Sequence, residues 1–201
     1  MNFILKSISY VLHPLIMPIL GVLFYFTKTP RFIPEPLMYA KLFSTALLTI
    51  ILPILIYYLL RTLNRVESIY LKSTNERKLP LLINAIIVYL IISRVFTSEE
   101  IIELYYFFVG VLISTLLCFA LAVFKIKASI HMLAASGFFM FTLILSIHFK
   151  INVNGTLALM TVLLGAIATS RLHLKAHTNK ELIIGSLVGL LPQLILFQFW
   201  L

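Results

Sequence analysis

Toward the C-terminal end the chain reads SRLHLKAHTNKE, residues 170–181, between two almost wholly apolar runs. It gathers Arg171, His173, Lys175, His177, Lys180 and Glu181 into twelve residues. His177 and Glu181 stand four apart, a spacing that sets them on one face of a helix. A carboxylate in that place accepts a hydrogen bond from one imidazole nitrogen. The tautomer is then fixed, and the other nitrogen is left free and more basic, as in an oriented nucleophile. Gly185 and Gly189 continue the face at the same spacing, and small residues there let another helix approach closely. The face is therefore expected to point into a helical bundle. Taken alone, a histidine in such a stretch reads as part of a solvated polar loop. Arg171 beside His177 and Glu181 raises the functional reading, because perturbable groups cluster at sites.

Two further polar stretches supply matching chemistry. In KASIHMLAASG, Ser129 is the expected N-cap of a helix whose first-turn amides are otherwise unpaired donors. With Lys127 beside it, such a helix end is suited to phosphate. His131, in the first turn, is placed to supply a proton to a leaving oxygen. In LKSTNERKLP, Lys72, Arg77 and Lys78 precede the next apolar run. Arg grips phosphate oxygens as a bidentate fork, and Lys adds a mobile point charge. Together the three stretches offer cations, a hydroxyl, helix-end amides and the histidines His131 and His177, an inventory that suits in-line phosphoryl transfer to a histidine. It calls for no metal or other cofactor, since Arg and Lys neutralise the charge.

The elements that must position these residues are membrane helices. The 201 residues are 61% hydrophobic and 11% charged, with a mean hydropathy of +1.07. Soluble domains carry about 25% charged residues, and a core of this size cannot hide so much apolar surface from water. The chain is an all-α, multi-pass membrane protein, read as one domain over residues 1–201. Seven apolar segments stand near 4–26, 37–60, 79–96, 102–124, 131–149, 153–169 and 182–201, which gives six to seven spans. The first is too long for a signal peptide and lacks small residues suited to cleavage. Pro53 and Pro192 fall inside spans, where kinks are expected. The chain has no Asp, and its single cysteine, Cys118, sits in an apolar run and reads as a buried thiol.

Even-numbered crossings return to one side. The stretches 61–78, 125–129 and 170–181 therefore share a membrane face, and that face holds eleven of the sixteen Lys and Arg. One reading is the positive-inside rule, which makes the face cytoplasmic. The other is an anion site built from convergent cations, and the two cannot be separated by counting. The net charge of +9 is set at span ends, so anionic headgroups rather than nucleic acid are the expected partner. His13, ahead of Pro14, is expected to bond inside the bundle, and His148 to sit at an interface.

In order, the three stretches resemble the three motifs of the type-2 phosphatidic acid phosphatase superfamily, membrane lipid phosphate phosphatases related to the vanadium haloperoxidases. Its third motif is Ser-Arg, five residues, His, three residues, Asp; this chain has Ser170-Arg171, then His177 and Glu181 at those spacings. Its second, Pro-Ser-Gly-His, stands here as Ala128-Ser129-Ile130-His131. Its first is Lys, six residues, Arg-Pro; here Lys72 and Pro80 keep the distance, and Leu79 takes the arginine position, so that Arg77 or Lys78 would substitute. The resemblance covers roughly residues 72–181. It implies a phosphatase-type four-helix core within residues 61–201, preceded by a helical pair over 4–60. It implies that His177 attacks phosphorus to form a phosphohistidine, that Glu181 orients it, and that His131 protonates the leaving group. Arg171, Ser129, Lys72 and Arg77 would hold the phosphate, with Lys78 and Lys127 as further candidates. The substrate would be a lipid phosphate or diphosphate in the bilayer. The site would face the periplasm across a bacterial inner membrane, against the charge count. A catalytically impaired subunit that binds lipid headgroups on the same fold is the alternative. A transporter fits less well, since transporters place their polar residues near the midplane.

Overall fold

The computed structural model describes residues 2–64 and 73–200, with side chains from Leu5 onward. These residues form nine α-helices: α1 Asn2–Val11, α2 Met17–Lys28, α3 Glu35–Ala46, α4 Leu52–Thr62, α5 Thr74–Arg94, α6 Ile102–Val123, α7 Ile130–His148, α8 Asn154–His173 and α9 Asn179–Leu196. No strand occurs among them. Six helical segments are long and apolar enough to cross a membrane, the pairs α1–α2 and α3–α4 each counting as one. Helix α5 is as long, but Glu76, Arg77 and Lys78 near its start and Arg94 at its end make it less apolar. The protein is an integral membrane helical bundle.

Two spans are interrupted, each for a proline-linked reason. Pro14 follows His13, and the residue before a proline is driven out of the helical region; His13 is extended, and its Nδ1 caps the turn Pro14–Ile16 by accepting from the Leu15 amide at 3.3 Å. The segment expected as one continuous helix over 4–26 is thus two helices with a bend. Pro53 has no amide hydrogen to give the carbonyl of Thr49. The helix ahead of it opens into a wider π turn, Leu47–Ile51, in which the Leu52 amide reaches the Leu47 carbonyl. Pro192 lies inside α9 without interrupting it.

The central contacts are α7 on α9, α5 on α6, and α6 on α9. Glycine permits the first. A Cβ on Gly185 would lie 2.5 Å from the Ser129 carbonyl oxygen, and one on Gly189 only 2.1 Å from that of Leu133. Lipid tails are as apolar as leucine, so close van der Waals contact rather than water exclusion holds such a pair together. Aromatic side chains fill the middle. Phe107 stacks on Phe141 at 4.3 Å and Phe96 on Phe108 at 5.2 Å, with Ile91, Leu104 and Leu145 buried around them. Leucines and isoleucines such as Leu82, Ile86, Ile183 and Leu194 line the outside, where lipid meets them.

One end of the bundle is tied by a fully buried carboxylate. Glu103 accepts from Tyr25 Oη at 2.9 Å and pairs with Arg31 at 2.6 Å, joining α2 to the start of α6. His148, expected at an interface, lies 3.7 Å from the same carboxylate, its ring against Phe149 and Trp200. Nearby, Lys41 bonds Glu100 and the Val95 carbonyl. Arg77, Lys127, Arg171, His131 and His177 meet at the opposite end.

Candidate active site

Three helix starts and the bend between α1 and α2 frame the site. Ser73 caps α5, accepting from the Glu76 amide at 3.2 Å. Arg77 therefore lies in the second turn of a helix, not in the connecting loop where the sequence set it. Ser129 caps α7, accepting from the Met132 amide at 3.4 Å. Thr178 caps α9 in a capping box with Glu181 at the third helical position. This last start moves His177. The sequence set His177 and Glu181 on one helical face, but the Thr178-x-x-Glu181 signature begins the helix after His177. The imidazole hangs just outside the helix, and the carboxylate folds back to it: Nδ1 of His177 and Oε2 of Glu181 are 2.6 Å apart.

That distance assigns the tautomer. A carboxylate only accepts, so Nδ1 carries the proton and Nε2 is the bare nitrogen. Burial holds the His177 pKa below the ordinary histidine value. The bond to Glu181 opposes the shift, while Arg77, Lys127 and Arg171 add to it. At pH 7 the ring is neutral. Lys127 donates to the Ala176 carbonyl at 2.9 Å and lies 3.9 Å from Glu181. Its own pKa is lowered, by burial first and then by Arg77 and Arg171, with Glu181 working the other way. The loop before α7 is stitched to α9 by the Ser129 amide, which donates to the Glu181 carbonyl at 3.0 Å. It is stitched to α5 by Arg77, whose Nη1 donates to the Ala128 carbonyl at 2.7 Å.

These groups border one cavity of about 960 Å³, at the upper end of the range for small-molecule sites. Arg77, Lys127, Arg171, His131 and His177 line it, and so does Lys175, which the sequence gave no reason to favour. Away from them its wall is largely apolar, with Ile54, Leu81, Ile87, Val88, Phe107 and Phe138. The arrangement accommodates an amphiphile, an anionic group among the cations and an apolar tail along the helices.

Not every expected residue reaches this space. Ser129 is wholly buried and outside the lining, its hydroxyl used on its own helix. The reason is the cap itself: a hydroxyl that satisfies the third amide of α7 turns back along the chain. Lys78 also stands outside the lining. Glu181 lies behind His177 rather than in the wall. Lys72 falls outside the described residues. Ile130, where the family motif has glycine, opens α7 without a positive φ.

The N-terminal helices contribute what the sequence reading missed. Ser9 on α1 is buried, and its Oγ accepts from Arg171 Nη1 at 2.7 Å. Its carbonyl oxygen is 3.2 Å from His131 Nε2. A carbonyl only accepts, so Nε2 of His131 holds its proton there. His13 also lines the cavity, with its ring edge-on to His131 at 5.5 Å. His13 was expected to bond inside the bundle; the signal for Ser9 was its place four residues before His13 in the same apolar run, since polar groups inside a membrane segment are functional suspects. Among the described residues no three His, Cys, Asp or Glu side chains converge as a metal cage.

This fold and site define a membrane-embedded helical protein with a cationic, histidine-bearing cavity. Compared with known proteins, the chain matches no family model, and neither a curated protein nor a solved structure is similar to it.

Proposed function

We propose that the protein is an integral membrane phosphatase that hydrolyses a lipid phosphate or diphosphate through a phosphohistidine. The observation that carries this reading is the His177–Glu181 pair at 2.6 Å, with the bare Nε2 of a cavity-lining imidazole among Arg77, Lys127 and Arg171. The Nε2 lone pair attacks phosphorus, and the bond from phosphorus to the lipid oxygen breaks. With the phosphate dianion bound beside it, His131 acts as the imidazolium, and the leaving oxygen takes its Nε2 proton, displacing the Ser9 carbonyl that now accepts it, so that the ring is left neutral. Water then attacks the phosphorus, the P–N bond breaks, and the proton from water returns to His131. Arg77, Lys127 and Arg171 stabilise the charge that gathers on the phosphoryl oxygens. By the motif resemblance the mouth opens on the outer face of a bacterial inner membrane.

A second reading, a lipid-headgroup-binding subunit without turnover, is favoured by one observation. The Ser129 hydroxyl, a phosphate ligand by resemblance, is buried away from the cavity. Phosphate release from a panel of lipid phosphates by purified protein separates the two. The phosphatase reading expects release that His177→Ala abolishes. Tight headgroup binding with no release from any lipid supports the second reading, and equal release by both chains rules out His177 as nucleophile.

A further inference from the structure

The cavity wall contains polar side chains, and several of them tie helices together. Ser114 Oγ donates to the Val188 carbonyl at 2.9 Å. The Gln193 amide donates to the Phe107 carbonyl at 3.0 Å, lying flat over Gly110, where a Cβ would meet it at 2.4 Å. Both bonds tie α6 to α9. Thr49 returns its hydroxyl to the Thr45 carbonyl one turn back. Asn84 differs. Its one bond among the described residues is from Nδ2 to Thr115 Oγ1, at the long distance of 3.4 Å. Thr115 in turn donates to its own helix at Val111. That leaves Asn84 with a second amide hydrogen and the carbonyl Oδ1 available on a half-buried side chain that lines the cavity.

An amide held in an apolar wall is unfavourable unless something meets it. Its position says what. Arg77 and Asn84 are seven residues apart on α5, which is two turns, so they share a face of the helix with a rise of about 10 Å between them. Leu81, between them, lines the same wall. A ligand whose phosphate sits at the Arg77 end of this face runs past Leu81 to Asn84, where its polar backbone gives way to its tails.

We propose that Asn84, backed by Thr115, is a second polar subsite that donates a hydrogen bond to an ester carbonyl of a bound lipid phosphate. Asn84 is thereby a specificity-determining residue, favouring phosphates with an ester-linked backbone over hydrocarbon-chain phosphates that carry no acceptor at that depth. The inference rests on the cavity holding a lipid phosphate, as proposed above. It does not rest on turnover.

The test is equilibrium binding to the full chain in nanodiscs, with His177→Ala present so that the ligand stays intact. The probes are dioleoylphosphatidic acid and its dialkyl ether analogue, which lacks both carbonyls. The ester is expected to bind roughly tenfold more tightly, equivalent to about 1.4 kcal/mol, and Asn84→Leu to reduce the ratio to near one. Asn84→Ala serves if the leucine variant does not fold. Equal binding of ester and ether with Asn84 present overturns the proposal, and so does a preference that survives replacement of Asn84. Phosphate release by the chain with His177 intact is scored separately. No release with the ester preference retained would defeat the phosphatase reading and leave the subsite standing. Release without the preference would do the reverse.

Discussion

At the scale of single residues the account turns on which nitrogen carries a proton. Glu181 fixes the proton of His177 on Nδ1, and burial with three nearby cations keeps the ring neutral at pH 7. A base with a lowered pKa stays ready as pH falls, until the medium reaches that pKa. The acid limb of kcat/KM is therefore expected below about pH 6.5, the value of an unperturbed histidine. A limb at or above that value would mean that the titrating group is not the buried His177. Glu181→Gln replaces an obligate acceptor with an amide that can present its N–H instead, and removes the charge that raises the His177 pKa. It should lower kcat by about a hundredfold or more, in line with the usual contribution of a positioned acid–base group. It should also leave binding of a non-hydrolysed headgroup nearly unchanged. Measured kcat with lipid affinity, side by side, checks both halves.

At the scale of elements, the site is held by the contact of α7 with α9. Gly189→Ala would put a methyl against the Leu133 carbonyl and Ser136 Oγ. Overpacking of this kind costs about 1–3 kcal/mol, read as a lower unfolding temperature in detergent. Gly165→Ala on α8 is the matched control, because nothing lies within 4 Å of its added Cβ. It should be neutral or slightly stabilising, by up to about 1 kcal/mol from helix propensity. Much of this layer was legible in the sequence. The apolar runs place the helices to within a few residues, Ser129 stands where a cap belongs, and the spacing of Gly185 and Gly189 marks a close approach. Other features were legible only locally. Thr178-x-x-Glu181 spells a capping box, but the match of His177 to Glu181 at four residues pointed to a shared helical face and hid it. The meeting of Ser9 with Arg171 and His131 depends on how α1 folds back across the bundle, and no local spacing encodes that. Ser129 illustrates the converse: one hydroxyl served equally well as a cap or a phosphate ligand on paper, and packing decided between them.

At the scale of the whole molecule, polarity is concentrated at two ends. Arg77, Lys127, Arg171 and His177 border the cavity at one, and Arg31 pairs with Glu103 and Lys41 with Glu100 at the other. Lys125 and Lys150 mark these ends on exposed turns with left-handed backbone. Cys118, the single cysteine, is buried, so single-cysteine labelling is clean. In intact cells, a membrane-impermeant thiol reagent should modify Lys125→Cys and spare Lys150→Cys if the cavity opens outward. The reverse pattern would place the cavity on the cytoplasmic side, where the raw charge count points. The most direct measurement of the central claim is covalent trapping. Protein mixed with a lipid phosphate radiolabelled at phosphorus and quenched in alkali, where phosphohistidine survives, should carry label on the peptide that contains His177. His177→Ala should carry none. Steady hydrolysis of the lipid with no label on that peptide, or equal labelling of the two chains, would contradict the account.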